Sequence, residues 1–387
     1  MDNDNVSRKL RLLQTSDLHI GKGRSSWGMK AALARAEHLL DVLFTVAKEK
    51  RCDAVVIAGD VFDAKEVTNR ERELVTRKFS QYAGKDGIPT FVTPGNHDLV
   101  SRRASNLDFL AEITERTSEV PNLHVAFARA PSTWEVAPGL AILGVPAAIS
   151  ESRKRLEKLT ASLDKAKDYV LVGHGLVRGS VDDSGYAPGG KLSLRAAARA
   201  APQIVWWAFG DVHARQPLPT LPRSARGWYA GSPVQMNFGE KPDRGCLIVT
   251  LAQGETGRWR FFNKRYVRID DRGFVPLVTV QTEEELAELP PEALIRLGPG
   301  LRLPSQRRAQ LVTSMRVVED LSMPADIPAD LIENGVLKVF DPLLASKEEV
   351  ERVVLCGLSP SDASLHAEAK LVVEQAVELF RQRIYLS

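Results

Sequence analysis

The stretch Asp53-Ala54-Val55-Val56-Ile57-Ala58-Gly59-Asp60-Val61-Phe62-Asp63 decides how this chain is read. Its first half is a continuous apolar run that suits a strand buried on both faces. Its second half is a Gly-Asp strand end with another carboxylate three residues on, so acidic side chains are delivered at the carboxyl end of a buried strand.

Working outward, four more segments repeat the arrangement. The strand pattern of residues 10–15 precedes Asp17-Leu18-His19, and that of residues 88–92 precedes Gly95-Asn96-His97-Asp98. Residues 169–172 precede Gly173-His174, and residues 204–209 precede Gly210-Asp211-Val212-His213. Four of the seven histidines fall in these motifs. Between the first three lie helical patterns at about 29–50, where Leu33, Ala36, Leu40, Leu43 and Ala47 recur at helical spacing, and at about 69–82. A β-α-β-α-β order implies parallel strands with helical crossovers, so the motifs line one crest of a sheet. Past Arg116 strand patterns come more often, ending with residues 246–251 and 259–267. Residues 179–191, rich in Gly, Ser and Asp, read as a long mobile loop beside the fourth motif.

Such a set of oxygen and imidazole donors suits phosphoester hydrolysis. That reaction needs an activated water, neutralised non-bridging oxygens and a proton for the leaving group; two divalent ions supply the first two. In an extended Asp17-x-His19 the two side chains share one face and can chelate one ion together. Asp60 is the natural bridging carboxylate, Asn96 a neutral oxygen donor, and His174 and His213 complete the two shells.

At 387 residues the chain calls for a large domain plus a smaller one, with the boundary expected near residue 268: 1–268 and 269–387. The composition, 44% hydrophobic and 26% charged, is that of a soluble globular protein. No apolar run is long enough to span a bilayer, and residues 1–11 lack a signal-peptide core, so no membrane role is expected. Cys52, Cys246 and Cys356 are far apart and odd in number, which favours a reduced, cytoplasmic protein. A net charge of +3 does not by itself point to nucleic acid.

The order of the motifs resembles the calcineurin-like metallophosphoesterase superfamily over residues 10–245. Asp17-Leu18-His19-Ile20-Gly21 and Gly59-Asp60-Val61-Phe62-Asp63 are most similar to the SbcD-type DNA nucleases. Tyr229-Ala230-Gly231-Ser232-Pro233, then Asn237-Phe238-Gly239-Glu240 and Arg244-Gly245, resemble a stretch of that family too. The resemblance implies an α/β, four-layer sandwich of two mixed sheets flanked by helices, with a small α+β C-terminal capping domain. It further implies two divalent ions, Mn²⁺ ahead of Mg²⁺, exonuclease and endonuclease action on DNA in break processing or repair, a homodimer, and a coiled-coil ATPase partner of SbcC type. Carried over by motif, one ion takes Asp17, His19, Asp60 and His213, and the other Asp60, Asn96, His174 and the position of Asp211. The family has histidine where this chain has Asp211; a carboxylate can also ligate Mn²⁺ or Mg²⁺, and it adds negative charge. His97 would act beside the scissile phosphate, oriented by the Asp63 carboxylate, a residue that also suits a helix N-cap.

The metal motifs set the chemistry and leave the substrate open between DNA and a nucleotide or other small phosphoester; a third reading is a scaffolding role with an impaired site. For DNA speak Lys22 and Arg24, Arg102 and Arg103, Arg178 and Arg215, all trailing the crest motifs as candidate phosphate contacts. A stripe of Leu365, Ala369, Val372, Ala376, Leu379 and Arg383 marks a final helix that could dock on a partner or on its own domain. Trp206 and Trp207 are expected in the core, and His38, His124 and His366 carry no functional role.

Overall fold

The computed structural model describes residues 7–116, 120–289, 293–313 and 317–324. The chain divides into two compact units, Met1–Pro276 and Leu277–Ser387.

The first unit begins with β1 (Arg8–Thr15), α1 (Met29–Glu49), β2 (Ala54–Ala58), α2 (Asn69–Phe79) and β3 (Thr90–Thr93). A short hairpin, β4 (Leu99–Ser101) and β5 (Ala104–Ser105), leads to α3 (Asp108–Arg116) and β6 (Leu123–Val125). The second half runs β7 (Ser132–Ala137), β8 (Leu140–Val145), α4 (Ala147–Ser150), α5 (Arg153–Ala161) and β9 (Asp168–His174). Then follow α6 (Arg195–Ala200), β10 (Ile204–Gly210), β11 (Gln216–Pro217) and β12 (Gly227–Tyr229), before β13 (Gly245–Gln253) and β14 (Trp259–Arg268) return to the first sheet.

Two six-stranded sheets result, in the orders β14-β13-β1-β2-β3-β6 and β11-β12-β10-β9-β8-β7. Both are mixed: β1, β2, β3 and β6 run parallel while β13 and β14 are antiparallel, and β8, β9, β10 and β12 run parallel between antiparallel edges. The period-two alternation along each strand assigns the layers. On β2, Val55 and Ile57 pack against α1, α2 and α3, whereas Ala54, Val56 and Ala58 face Ile142, Val170, Val172 and Trp206 of the second sheet. Leu171, Trp207 and Phe209 turn to the far side, where α5 and α6 cover them. The order is therefore helix, sheet, sheet, helix, as the resemblance implies, with Trp206 and Trp207 both buried.

Local chemistry explains the boundaries. In α2 the Thr68 side chain accepts from the Glu71 N–H, and Glu71 reaches back to the Thr68 N–H, a reciprocal cap that satisfies two otherwise orphaned donors. The helical pattern at 69–82 ends its α-helical part at Phe79 and continues as a π-helical turn to Lys85. Along α1, Leu39, Leu40, Leu43, Phe44, Val46 and Ala47 are buried, each large side chain contributing about 1.5–3 kcal/mol of burial free energy.

The second unit contains a parallel three-stranded sheet, Leu277–Val280, Leu294–Leu297 and Val317–Asp320, with helices Glu283–Glu288 and Ser305–Thr313. It has its own small core of Val280, Ile295, Leu297, Leu301 and Leu303. The apolar stripe at 365–383, with His366, lies outside the described residues. Among the described residues no helix is long and apolar enough to cross a membrane.

Candidate metal centre

Parallel neighbours share a direction, so the carboxyl ends of β1, β2 and β3 meet at one edge of the first sheet, and those of β9 and β10 at the same edge of the second. Backbone bonds then tie the turns together. Asp17 donates to the Gly59 carbonyl (3.0 Å) and His19 to the Asp60 carbonyl (3.0 Å), while Gly210 is paired with His174. Asp98 accepts from the N–H groups of Val61 (3.1 Å), Phe62 (2.9 Å) and Gly95 (2.9 Å), locking the second motif to the third. Burial and the nearby Asp60 push its carboxyl up to about 7, against those three donors.

The local conformation departs from the expected extended Asp17-x-His19. Asp17, His19, Asp60 and Asp211 have φ of 55°, 44°, 51° and 105°. Positive φ is uncommon outside glycine, and its recurrence at four donor positions marks backbone strain held at one site. The turn is left-handed at both residues, and it is this curl, not strand alternation, that brings Asp17 and His19 together with His213.

Three overlapping groups of donors form: Asp17, His19 and His213; Asp17, Asp60 and His174; His19, Asp60 and His97. His19 Nε2 lies 3.1 Å from His213 Nε2 and 3.8 Å from Asp60 Oδ2. His174 Nε2 lies 2.7 Å from Asn96 Oδ1, 3.4 Å from Asp60 Oδ2 and 3.6 Å from Asp211 Oδ1. Asp17 and Asp60 are almost wholly buried. Burial raises the Asp17 carboxyl; at Asp60 the same burial is outweighed by His174, His19 and His97, which hold it well below the usual carboxylate range.

These residues fit divalent metal ions. His174 Nδ1 donates to the Ala58 carbonyl (2.9 Å) and His213 Nδ1 to the Glu240 carboxylate (2.6 Å), since neither oxygen can donate. A metal ion that displaces the remaining ring protons would therefore meet both Nε2 lone pairs facing inward, one opposite another imidazole nitrogen and one opposite an amide oxygen. Lone pairs converging among buried carboxylates call for a cation. Hard oxygens mixed with imidazole suit Mn²⁺, Mg²⁺ or Zn²⁺. These donor clusters imply divalent ions as the cofactor.

His97 stands exposed at the mouth, its ring centroid 5.0 Å from that of His19. Its Nδ1 donates to the main-chain carbonyl of Asp63 at 2.5 Å. The Asp63 carboxylate, implied by resemblance to orient His97, instead lies 3.2 Å from His19 Nδ1, without a well-aligned hydrogen bond, and 3.7 Å from Lys22. Of the other basic residues, Arg24 is committed to Glu71 (2.9 Å) and the Glu66 carbonyl (2.8 Å). Arg215 stacks 3.5 Å over the Tyr266 ring near Asp243. Arg102, Arg103 and Arg178 are exposed. His38 bonds the Arg272 carbonyl (2.7 Å), and His124 stacks on Phe91, so both have structural places.

Glu240 and Arg244 stand in a motif stretch that assigns them no role, and Lys65, Glu151 and Arg155 stand in none. Lys65, Arg102 and Arg155 line a cleft of about 570 Å³ that Asn96, Leu99, Val100 and Glu151 line as well. Nothing local in the sequence says that the α4–α5 turn faces the β4–β5 hairpin, so no signal could have found these residues.

Residues 10–215, more than half of the chain, match the family profile described as Calcineurin-like phosphoesterase. The chain is 24% identical over 274 residues to the SbcD component of nuclease SbcCD from Bacillus subtilis (strain 168), covering 65% of this chain and 68% of that protein. It is 34% identical over 102 residues to the SbcD component of nuclease SbcCD from Escherichia coli (strain K12), covering 26% of this chain and only 24% of that protein. A dimetal phosphatase from Danio rerio aligns in structure at 12% identity and a TM-score of 0.42, over 67% of this chain and 98% of that one. With its motifs assembled on a helix-sheet-sheet-helix sandwich, the chain belongs to the calcineurin-like phosphoesterase family.

Proposed function

We propose that this phosphoester hydrolase is a DNA nuclease, cutting phosphodiester bonds with two divalent ions, Mn²⁺ by preference. The observation that carries the reading is the cleft beside Asn96. A small phosphoester needs cations only at the reacting phosphate, whereas a polynucleotide repeats its charge at each linkage and gains from cations farther along. Lys65, Arg102 and Arg155 lie along such a cleft, and Val100, 56% exposed, offers an apolar surface to a sugar or base.

In this reading one ion is held by Asp17, His19, Asp60 and His213, the other by Asp60, Asn96, His174 and Asp211. Bound there, the ions supply charge neutralisation of the phosphate oxygens and a lowered pKa for water. The chain's own side chains do the rest. His97, its Nδ1 proton fixed on the Asp63 carbonyl, presents Nε2 outward to stabilise or protonate the leaving oxygen. Lys65, Arg102, Arg103, Arg155 and Arg178 position the strand, and Lys22, Arg24 and Arg215 lie next to it as lesser contributors. Similarity to the SbcD components of the SbcCD nucleases supports a role in break processing, with an SbcC-like ATPase and a homodimer as part of the proposal.

The test is Mn²⁺-dependent degradation of end-labelled double- and single-stranded DNA, with a chromogenic phosphodiester alongside and His97→Ala as control. DNA cleavage that disappears in the variant supports the nuclease reading. Cleavage of the small ester alone moves the function to a nucleotide or other small phosphoester.

A further inference from the structure

Behind His213 lies a buried clasp that the ligand set does not include. Glu240 Oε1 accepts from His213 Nδ1 at 2.6 Å and from Asn237 Nδ2 at 3.0 Å. Its other oxygen accepts from the Met236 N–H at 2.8 Å and lies 3.5 Å from Arg244 Nη2. The Arg244 side chain is 4% exposed, and its guanidinium reaches the His213 carbonyl, the Asp183 carboxylate and the Lys241 carbonyl (3.0 Å). His213 is thus gripped twice, through its ring by Glu240 and through its main chain by Arg244.

The clasp also reaches the 179–191 segment. Asp182 organises a compact turn there, accepting from Ser184 and Tyr186, which presents the next residue, Asp183, to Arg244. Val181 exchanges two bonds with the Gln216 side chain (3.0 and 2.6 Å). The loop beside the fourth motif is therefore tied to the strand end that carries the fifth.

We infer that Glu240 is a positioning residue for the metal centre, which orients His213 and fixes its Nε2 lone pair on the ion, and that Arg244 and Asp183 hold Glu240 and the 179–191 loop in register with it. The inference rests on the two-ion reading above. An ionised carboxylate can only accept, so Glu240 sets which ring nitrogen of His213 carries the proton, and its charge makes Nε2 a stronger donor to metal. Partners of this kind are worth ten- to a hundredfold in metal affinity. Arg244, bonded to Asp183 and close to Glu240, keeps that carboxylate from swinging into the site as a ligand itself.

The experiment is calorimetric titration of the full-length, chelator-stripped protein with MnCl₂, on wild type, Glu240→Gln, Glu240→Ala and Asp183→Asn, with histidine ¹⁵N spectra to read the His213 tautomer. Glu240→Ala is expected to weaken one of the two Mn²⁺ sites by ten- to a hundredfold and to release the Nδ1–H tautomer. Glu240→Gln, whose amide oxygen still accepts from Nδ1, should keep the tautomer and lose only part of the affinity. Its near-isosteric side chain keeps the test alive if the alanine variant fails to fold. Asp183→Asn should give a smaller loss at the same site. Wild-type affinity and an unchanged tautomer in both folded Glu240 variants would overturn the inference while leaving the two-ion reading intact. A wild-type chain that binds no Mn²⁺ would remove both together.

Discussion

His97 is held by the main chain of Asp63, not by its carboxylate: Nδ1 lies 2.5 Å from the carbonyl oxygen, while the carboxylate lies 3.2 Å from His19 Nδ1. Substitutions at the two residues should therefore fail differently. His97→Ala is expected to lower kcat by about 10²–10⁴-fold with Mn²⁺ affinity unchanged. Asp63→Asn leaves the carbonyl in place and should act mainly by weakening metal binding through His19. Paired kinetic and Mn²⁺ titrations check this; an equal kcat loss at saturating metal in both variants would contradict it.

Asp211, where the resemblance implies a histidine, lies 3.6 Å from His174 Nε2 on a backbone at φ 105°. In the two-ion proposal, oxygen in place of nitrogen would make the second ion's set harder. Asp211→His should keep two-ion stoichiometry, preserve or raise Mn²⁺-supported turnover and lower the Mg²⁺-supported rate. The ratio of the two rates is the readout, and a ratio unmoved by the change would show that Asp211 does not ligate.

Gly95 approaches the second motif so closely that a Cβ there would meet the Asp60 carboxylate and backbone nitrogen. Gly95→Ala should cost about 1–3 kcal/mol of stability through overpacking and displace the Asp60 carboxylate. Thermal melts should show a lower Tm and a smaller rise on adding Mn²⁺ than wild type.

Reversing the charge of the cleft separates substrate from chemistry. Lys65→Glu with Arg102→Glu should weaken DNA binding and lower the slope of log K against log salt by roughly one per lost phosphate contact. Hydrolysis of the chromogenic diester should stay near wild type. Loss of both activities in parallel would instead place these residues in the reacting centre.

Away from the site, Glu37 bonds Arg77 (3.0 Å) and Lys78 (3.0 Å), which hold its carboxyl down at about 2 from an ordinary 4.5. A depressed folded value means the pair stabilises the fold above about pH 4.5 and is lost as pH falls toward 2. Solvent screening limits this to a few tenths of a kcal/mol. Glu37→Gln should lower Tm slightly at pH 7, with the gap closing between pH 4.5 and 2.

Most of the candidate site was legible because its residues are carried by strand ends. A strand-like run followed by a short motif of Asp, Asn or His is a local signal, and five in order imply a shared crest before any contact is known. The conformation at that crest was not legible. Period-two reasoning put Asp17 and His19 on one face of an extended segment, whereas both residues curl to positive φ and donate their N–H groups to the carbonyls of Gly59 and Asp60, some forty residues away. Lys65 and Arg155 escaped notice, and Glu240 was singled out without a role, for a related reason: each takes its meaning from a partner distant in sequence.

The sequence by itself determined the alternation of buried strands and helices, the candidate donors and the order in which they appear, because burial pattern and side-chain chemistry are properties of short segments. Only the tertiary structure decided which nitrogen of each histidine faces inward, which oxygen of Asp63 holds His97, and that a clasp of Glu240, Arg244 and Asp183 stands behind His213. Those depend on hydrogen-bond directions between segments that meet only when two sheets stack, and a direction in space has no counterpart along a chain.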